Sequence, residues 1–298
     1  MHQTIDPSQA EPVGDVVAEL GEGPLWNTWG PAGATLQWVD IPGGKLHRTV
    51  PSSGQTVTTD LGAPVSAVLP MPDGRVIVSR RDRLVVLETD DTERALARVS
   101  LPHAVRFNDG ATDPQGRVWI GSMDTEERSA VGILYRLDAG GVLTPVVTGV
   151  TVSNGLGWSP DGATLYYVDS PTRQIDALDF DPGTGTVAGR RRFADLTSVP
   201  GLPDGLTVDT EGGVWVALHG GGVLHRYGPG GRLDTVVSLP VSHPTSCAFG
   251  GPDLADLYVT TASAPLSAAE RAAQPLAGRL LRLRPGPAGI PLAAADLT

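Results

Sequence analysis

Residues Thr151 to Ser170 read TVSNGLGWSPDGATLYYVDS, and the rest of the chain repeats this pattern. The stretch contains a short strand-forming segment interrupted by the polar residue Asn154, then a Pro-Asp-Gly turn at Pro160, then a further strand over Leu165 to Val168. Proline fixes φ at the second position of a turn, and glycine accepts the positive φ near its end. The pattern therefore predicts antiparallel strands joined by a tight turn.

The same turn recurs along the chain at intervals of 41 to 50 residues. Its first position is occupied by Pro31, Pro72, Pro114, Pro160, Thr210 and Pro252. Glycine follows two residues later in five of the six copies, and a β-prone run such as LQWV or VWI follows each turn. Repeats of about 40–50 residues are typical of propeller blades. We therefore predict an all-β fold, a six-bladed β-propeller with four antiparallel strands per blade.

The predicted propeller occupies nearly the whole chain, so a single domain over residues 1–298 is expected, with a core at about 13–287. Residues 1–12 are predicted to be a loose tail. Val13 to Leu20, VGDVVAEL, is predicted to be the N-terminal strand that pairs into the last blade and closes the ring. A short helix with Ser267 as its N-cap is predicted within residues 265–276.

A polar residue precedes each turn at a nearly fixed distance, nine residues in the first unit and six in the others. These residues are Glu22, Ser66, Asn108, Asn154, Asp204 and Ser246. The innermost strand of each propeller blade begins beside the central channel, so the six positions are expected to form a ring around the axis. Small polar residues also satisfy strand ends. Two carboxylates in one ring, however, repel each other unless a cation lies between them.

The third unit, RFNDGATDPQGRVWIGSMD, is the most polar of the inner segments. Arg106 and Asn108 alternate along the strand, so both are expected to face the channel while Phe107 points into the blade. The loop over residues 125–132 follows, and it could form a lid at the channel mouth that carries Glu126 or Glu127. No histidine has a carboxylate or a second histidine at ligand spacing in the sequence.

The composition excludes several classes of function. The net charge of −11 argues against binding of nucleic acid, which requires a basic face. Cys247 is the only cysteine, so no intramolecular disulfide is expected, and we interpret it as a buried apolar residue. No apolar run has the length of a membrane span, and the N-terminal residues lack the pattern of a secretory signal. A cytoplasmic location is therefore expected.

Five segments closely resemble the gluconolactonase family, which includes regucalcin and the luciferin-regenerating enzymes. They are GEGPLW, RFNDGATDPQGRVWIGSM, SNGLGWSPDGATLYYVDS, PDGLTVD and PTSCAFGG. The resemblance implies a six-bladed propeller with one divalent metal at its axis and hydrolysis of a sugar lactone, such as gluconolactone, to the aldonic acid. The metal ligands that it implies are Glu22, Asn154 and Asp204. The substrate contacts that it implies are Arg106, Asn108 and Glu126, with Glu127 as the alternative to the last.

The chemistry of the implied ligands agrees with a hard divalent cation. Two carboxylates and an amide oxygen favour Ca²⁺, while Mg²⁺, Mn²⁺, Zn²⁺ and Fe²⁺ stay open. Three protein ligands leave positions for water and substrate, as in catalytic sites. Asp204 is the residue expected to be catalytic, as the acceptor of a proton from the attacking water.

Two other functions stay open on the sequence. One is a phosphotriesterase of the diisopropyl-fluorophosphatase type, and the other is a non-catalytic calcium-binding propeller, because the fold does not decide function. A polar rim would favour a hydroxylated sugar, and an apolar rim would favour an organophosphate. The expected partner is a small-molecule sugar lactone, and the expected state is a monomer or a weak homo-oligomer.

Overall fold

The computed structural model describes residues 2–30 and 33–297, so the predicted turn at Pro31 lies outside the described residues. Six sheets, each with four antiparallel strands, follow one another along the chain. The inner strands of successive sheets contact each other, and the inner strand of the last sheet contacts that of the first. The protein is therefore a six-bladed β-propeller, as the repeat predicts.

The strands of each blade run in chain order from the axis outwards, except where the N-terminus contributes. Blade 1 comprises Gly21–Asn27, Thr35–Asp40, Lys45–Val50 and Gln55–Asp60. Blade 2 comprises Val68–Pro70, Val76–Ser79, Arg83–Leu87 and Glu93–Arg98. Blade 3 comprises Val105–Thr112, Val118–Asp124, Gly132–Asp138 and Val142–Val150. Blade 4 comprises Ser153–Trp158, Thr164–Asp169, Gln174–Asp181 and Thr186–Asp195. Blade 5 comprises Leu202–Val208, Val214–His219, Val223–Tyr227 and Leu233–Ser238. Blade 6 comprises Pro244–Gly250, Asp256–Thr261, Leu281–Leu283 and Glu11–Pro12.

An N-terminal strand closes the ring, as predicted, but it is not the predicted segment. Glu11–Pro12 pairs antiparallel with Leu281–Leu283 and forms the outer strand of blade 6. Gln3–Ile5 adds a fifth strand to blade 5, parallel to Leu233–Ser238. The prediction of a loose tail over residues 1–12 is therefore wrong.

The predicted strand at Val13 to Leu20 is also wrong, and its apolar pattern has another cause. Val13 and Ala18 are buried in the hydrophobic cluster between blades 6 and 1. Leu20 makes only an isolated bridge to Ala262. The apolar residues of this segment therefore serve packing between blades, and the pairing is made by the two residues before it.

The hydrophobic core is divided into six clusters, one between each pair of adjacent blades. Trp38, Trp119 and Trp215, each on the second strand of a blade, are fully buried there. The indole Nε1 of Trp215 donates a hydrogen bond of 2.8 Å to Asp209, and that of Trp119 donates one of 3.1 Å to Asp113. Apolar packing thus holds each blade against its neighbours.

The predicted helix is confirmed at Ala268–Ala273, within blade 6. Ser267 caps it and forms a capping box with Glu270. Short 3-10 turns occur at Pro7–Gln9, Ala139–Gly141 and Ser170–Thr172. Within the part of the chain that the structure describes, no helix has the length and apolar character that a membrane crossing requires.

Residues 288–296, called here the C-terminal strap, cross the face of the propeller at which the inner strands end. The strap begins where Gly289 N donates to Leu254 O of blade 6 and Ala288 O accepts from Thr210 N of blade 5. It ends where Ala295 N donates to Pro70 O of blade 2. The strap therefore connects blades that are not neighbours.

Candidate metal and substrate site at the propeller axis

Two cavities lie at opposite ends of the inner strands. The upper cavity, of about 140 Å³, is lined by the first residues of inner strands and the last residues of second strands. The lower cavity, of about 190 Å³, is lined by later residues of the inner strands and by residues 290–293 of the strap. The upper cavity contains Glu22, Asn108, Asn154 and Asp204, four of the six ring residues predicted from the sequence.

The other two ring residues lie elsewhere. Ser246 lines the lower cavity. Ser66 is buried, and its hydroxyl makes a 2.7 Å hydrogen bond with that of Ser79. These two serines therefore belong to the structure of their blades rather than to the upper cavity.

A β-bulge in the inner strands of blades 1, 3, 4 and 5 turns side chains towards the axis at the ring position. In blade 3, Asn108 and Asp109 stand opposite the single residue Gly121. A bulge bends the strand and changes the direction of its side chains. As a result Asn108 lines the upper cavity and Asp109 lines the lower one.

Asn108 connects Arg106 and Asn154, two residues of the upper cavity. Its Oδ1 accepts a 2.7 Å hydrogen bond from Arg106 Nη1. Its Nδ2 donates to Asn154 Oδ1 at 3.1 Å and to the Ser153 carbonyl at 2.9 Å. Asn154 Nδ2 in turn donates to Ser170 Oγ at 2.9 Å. These bonds fix the amide of Asn154 with its nitrogen towards Ser170, which leaves its oxygen as the group available to a cation.

Three carboxylates lie near the axis, the buried Glu22 and Asp204 and the half-buried Asp109, and each has a raised pKa. Burial, followed by the charge of Asp109, raises the pKa of Glu22 to about 8. Burial raises the pKa of Asp109 to about 6. Burial and the charges of Glu22, Asp109 and Glu127 raise the pKa of Asp204 well above its usual range. The site therefore disfavours the ionised forms of these groups unless a cation compensates their charge.

The upper cavity fits a divalent cation by its donors. Asp204 Oδ1 is buried and has no hydrogen-bond partner among the described residues. A buried carboxylate oxygen without a partner is unfavourable unless a cation or a proton satisfies it. Over residues 2–30 and 33–297, no three His, Cys, Asp or Glu side chains are arranged to hold a metal. The predicted metal ligands differ from such a site, because they combine the two carboxylates of Glu22 and Asp204 with the amide oxygen of Asn154.

Arg106 is the positively charged residue that lines the upper cavity. Its guanidinium lies near the carboxylates of Glu22 and Glu127, which raise the pKa of Arg106, while burial has the larger, lowering effect. Phe107 is buried between blades 2 and 3, so the predicted alternation along this strand is confirmed.

The structure separates the two glutamates of the loop after blade 3's second strand. Glu127, which adopts a left-handed backbone conformation with φ of 58°, lines the upper cavity. The side chain of Glu126 is 67% exposed and lies 3.5 Å from Arg128. Of the two glutamates, Glu127 is therefore the one that lines the upper cavity.

Two residues of the axial region are absent from the sequence-based prediction. Asp109 follows Asn108 directly, and a regular strand would have turned it away from the channel. His219 ends the second strand of blade 5, and its Nδ1 lies 3.7 Å from Asp204 Oδ2. A doublet of polar residues at the ring position is the signal that could have revealed Asp109.

The fold and the site define a class of protein, the six-bladed propellers with an acidic, asymmetric axial cavity. The sequence profile of the family described as "SMP-30/Gluconolactonase/LRE-like region" matches residues 20–263. The chain therefore belongs to this family, as its motifs indicate.

Relatives are similar over most of their length. Pentonolactonase XacC of Haloferax volcanii is 38% identical over 248 residues, which cover 83% of this chain and 83% of that protein. Regucalcin of Gallus gallus is 38% identical over 291 residues, which cover 94% and 96%. A solved structure described as a calcium-binding protein, regucalcin, of Agrobacterium tumefaciens aligns with a TM-score of 0.92, 28% identity and coverage of 99% of both chains.

Proposed function

We propose that this protein hydrolyses a sugar lactone to the corresponding aldonic acid with the aid of one divalent metal ion. The observation that carries the proposal is the buried acidic cavity at the axis, in which Asp204 Oδ1 has no partner among the described residues. Membership of the family supports it, and so does the similarity to XacC, a pentonolactonase.

The ion would be held by Glu22, Asn154 and Asp204. Their oxygen donors favour Ca²⁺ among the divalent ions, and the name of the regucalcin structure agrees with calcium. When bound, the ion would supply Lewis-acid polarisation of the lactone carbonyl and compensate the charge that develops on its oxygen.

The protein's own residues bind the substrate and move the proton. Asp204, in its ionised form, accepts a proton from the water that attacks the carbonyl. Arg106 donates hydrogen bonds to ring hydroxyls of the lactone and to the carboxylate of the product. Asn108 holds Arg106 and Asn154 in place through its 2.7 Å and 3.1 Å hydrogen bonds. Glu127, on the loop at the mouth, accepts hydrogen bonds from further hydroxyls.

We expect Arg106→Ala to lower kcat/KM by about 10- to 100-fold, since it removes a charge-assisted contact. The effect should appear mainly in KM if Arg106 binds ground state and transition state alike. The measurement is steady-state kinetics on a hydrolysed lactone together with thermal unfolding.

Arg128→Ala is the matched control, because the Arg128 side chain is 80% exposed and lies on the same loop as Glu127. It should leave kcat/KM unchanged. A large fall in melting temperature with an unchanged KM for Arg106→Ala would reassign Arg106 to a structural ion pair.

The proposed function is tested by acid release from a panel of aldonolactones, with and without exhaustive chelation. We expect about one tightly bound divalent ion per chain, loss of hydrolysis on chelation and recovery when the ion is restored. The reason is that burial and neighbouring charges disfavour the ionised forms of Glu22 and Asp204 unless a cation compensates their charge. Full activity of protein shown to be metal-free by elemental analysis would overturn the proposed role of the metal.

A second candidate is hydrolysis of a phosphotriester, and one observation favours it. Apolar residues also line the upper cavity, namely Leu20, Ile41, Met123, Val152, Leu202 and Pro203. A dialkyl fluorophosphate is therefore included in the same panel. Preference for it over every lactone would select this candidate.

A further inference from the structure

His219 is a histidine of the upper cavity to which the proposed chemistry gives no role. It ends the strand Val214–His219 and pairs with Leu202, two residues before Asp204 on the adjacent inner strand. This pairing places the imidazole beside the carboxylate, with Nδ1 at 3.7 Å from Oδ2. His219 Nδ1 is buried and has no hydrogen-bond partner in the part of the chain that the structure describes.

The surroundings of His219 support its imidazole in one orientation. The His243 ring packs edge-on against it, with 4.8 Å between centroids. His243 Nδ1 makes a 2.8 Å hydrogen bond with Ser242 Oγ, which also contacts Gln274 Oε1 at 3.0 Å. The end of the blade 6 helix therefore supports the wall behind His219.

Asp204 has two oxygens in different environments. Oδ1 is buried without a partner among the described residues, and Oδ2 faces His219. A distance of 3.7 Å exceeds that of a hydrogen bond, and a small rotation of either side chain would close it. Carboxylates that bind metals are commonly oriented by a hydrogen bond to the other oxygen.

We propose that His219 is a positioning residue: it donates Nδ1–H to Asp204 Oδ2 and thereby keeps Oδ1 directed at the metal position. This inference rests on the proposed function, because it assigns Asp204 to a metal site. The donated bond also stabilises the ionised carboxylate, which is the form that binds a cation and accepts a proton.

Three substitutions of His219 distinguish the role of Nδ1 from that of Nε2. His219→Asn keeps an N–H donor near the place of Nδ1, His219→Gln keeps one near the place of Nε2, and His219→Leu removes both. We expect Gln and Leu to weaken the affinity for Ca²⁺ by about 10- to 100-fold, as for other partners of metal ligands. We expect Asn to stay within about threefold of the parent protein.

The primary readout is the dissociation constant for Ca²⁺, measured by titration calorimetry on protein stripped of metal. Kinetics on the lactone then give kcat at saturating metal and KM, and a positioning role predicts a loss in kcat with KM nearly unchanged. His225→Asn is the matched control. His225 is buried in the next strand of the same blade, and its Nδ1 lies 3.1 Å from Tyr227 Oη, outside the cavity.

The Ca²⁺ affinities of the three His219 variants distinguish a role of Nδ1 from the alternatives. Rescue by Gln but not by Asn would overturn the proposal, since His219 would then act through Nε2. Equal affinity in all variants would also overturn it, as would equal losses in all three that follow a common fall in melting temperature. If the Leu variant does not fold, the comparison of Asn with Gln still decides. Parent protein that binds no divalent ion and hydrolyses no lactone would instead contradict the proposed function.

Discussion

Asp204→Asn is expected to lower kcat by roughly 10²–10⁴-fold even at saturating metal, which is the effect of losing a general base. The substitution keeps an oxygen that can reach the metal but removes the negative charge and the proton acceptor. If Asp204 were only a ligand, excess metal would restore most of the rate, because an asparagine already serves at ring position 154. The measurement is kcat across a metal titration, with occupancy determined independently.

Asn154→Ala is the control for this experiment, because it removes a neutral ligand and no base. Its defect should therefore recover further than that of Asp204→Asn as metal is added. Recovery of Asp204→Asn to near the parent rate would mean that the base lies elsewhere. Glu22 and Glu127, which also line the upper cavity, would then be tested in the same way.

Glu22→Gln is expected to stabilise the metal-free protein at pH 8 while weakening its binding of divalent ions. The pKa of Glu22 is raised from an ordinary value of 4.5 to about 8 in the folded protein. Between about pH 4.5 and 8 the folded state therefore retains a proton that the unfolded state releases. The contribution of Glu22 to the free energy of unfolding is fully present below about pH 4.5 and is lost as the pH rises through about 8. Glu22→Gln should therefore raise the free energy of unfolding by on the order of 2–4 kcal/mol at pH 8 and by little at pH 5.

The measurement is the melting temperature of parent and variant in chelator at both pH values. Glu19→Gln is the matched control, because Glu19 is exposed and lies three residues earlier in the chain. Addition of Ca²⁺ at pH 8 should stabilise the parent and not the Glu22 variant. A difference between parent and variant that is the same at pH 5 and pH 8 would be inconsistent with a neutral Glu22.

The blades could be predicted from the sequence because each contains a local sequence pattern that is typical of a turn followed by a strand. The Pro-x-Gly turn and the β-prone run that follows it are determined by backbone preferences that do not depend on the rest of the fold. The closing strand could not be placed in the same way. Glu11–Pro12 is only two residues long and has no periodicity, whereas the apolar residues after it have a strand-like pattern for a different reason.

The site was predictable where it follows the repeat and not where the structure departs from regular alternation. Asn154 and Asp204 occupy the repeated position and line the upper cavity. Asp109 reaches the channel through a bulge, which breaks the period of two. The choice of Glu127 depends on a left-handed backbone in a loop, for which the sequence TEERS carries no signal.

His219 was missed for a topological reason. It lies on the second strand of its blade, whereas the repeated polar position lies on the inner strand. Its contact with Asp204 joins residues that are brought together only by the antiparallel register of Leu202 with His219. Spacing along the chain cannot reveal such a contact, because it depends on the length of the turn between the strands.

The C-terminal strap crosses one end of the propeller channel, so the two ends of the channel differ. Residues 290–293 line the lower cavity, and the strap is joined by main-chain hydrogen bonds to blades on opposite sides of that face. A molecule bound beside Glu22 and Asp204 would therefore lie at the end of the channel opposite the strap. The loop that carries Glu127 lies at the same end, where that glutamate lines the cavity that would hold such a molecule.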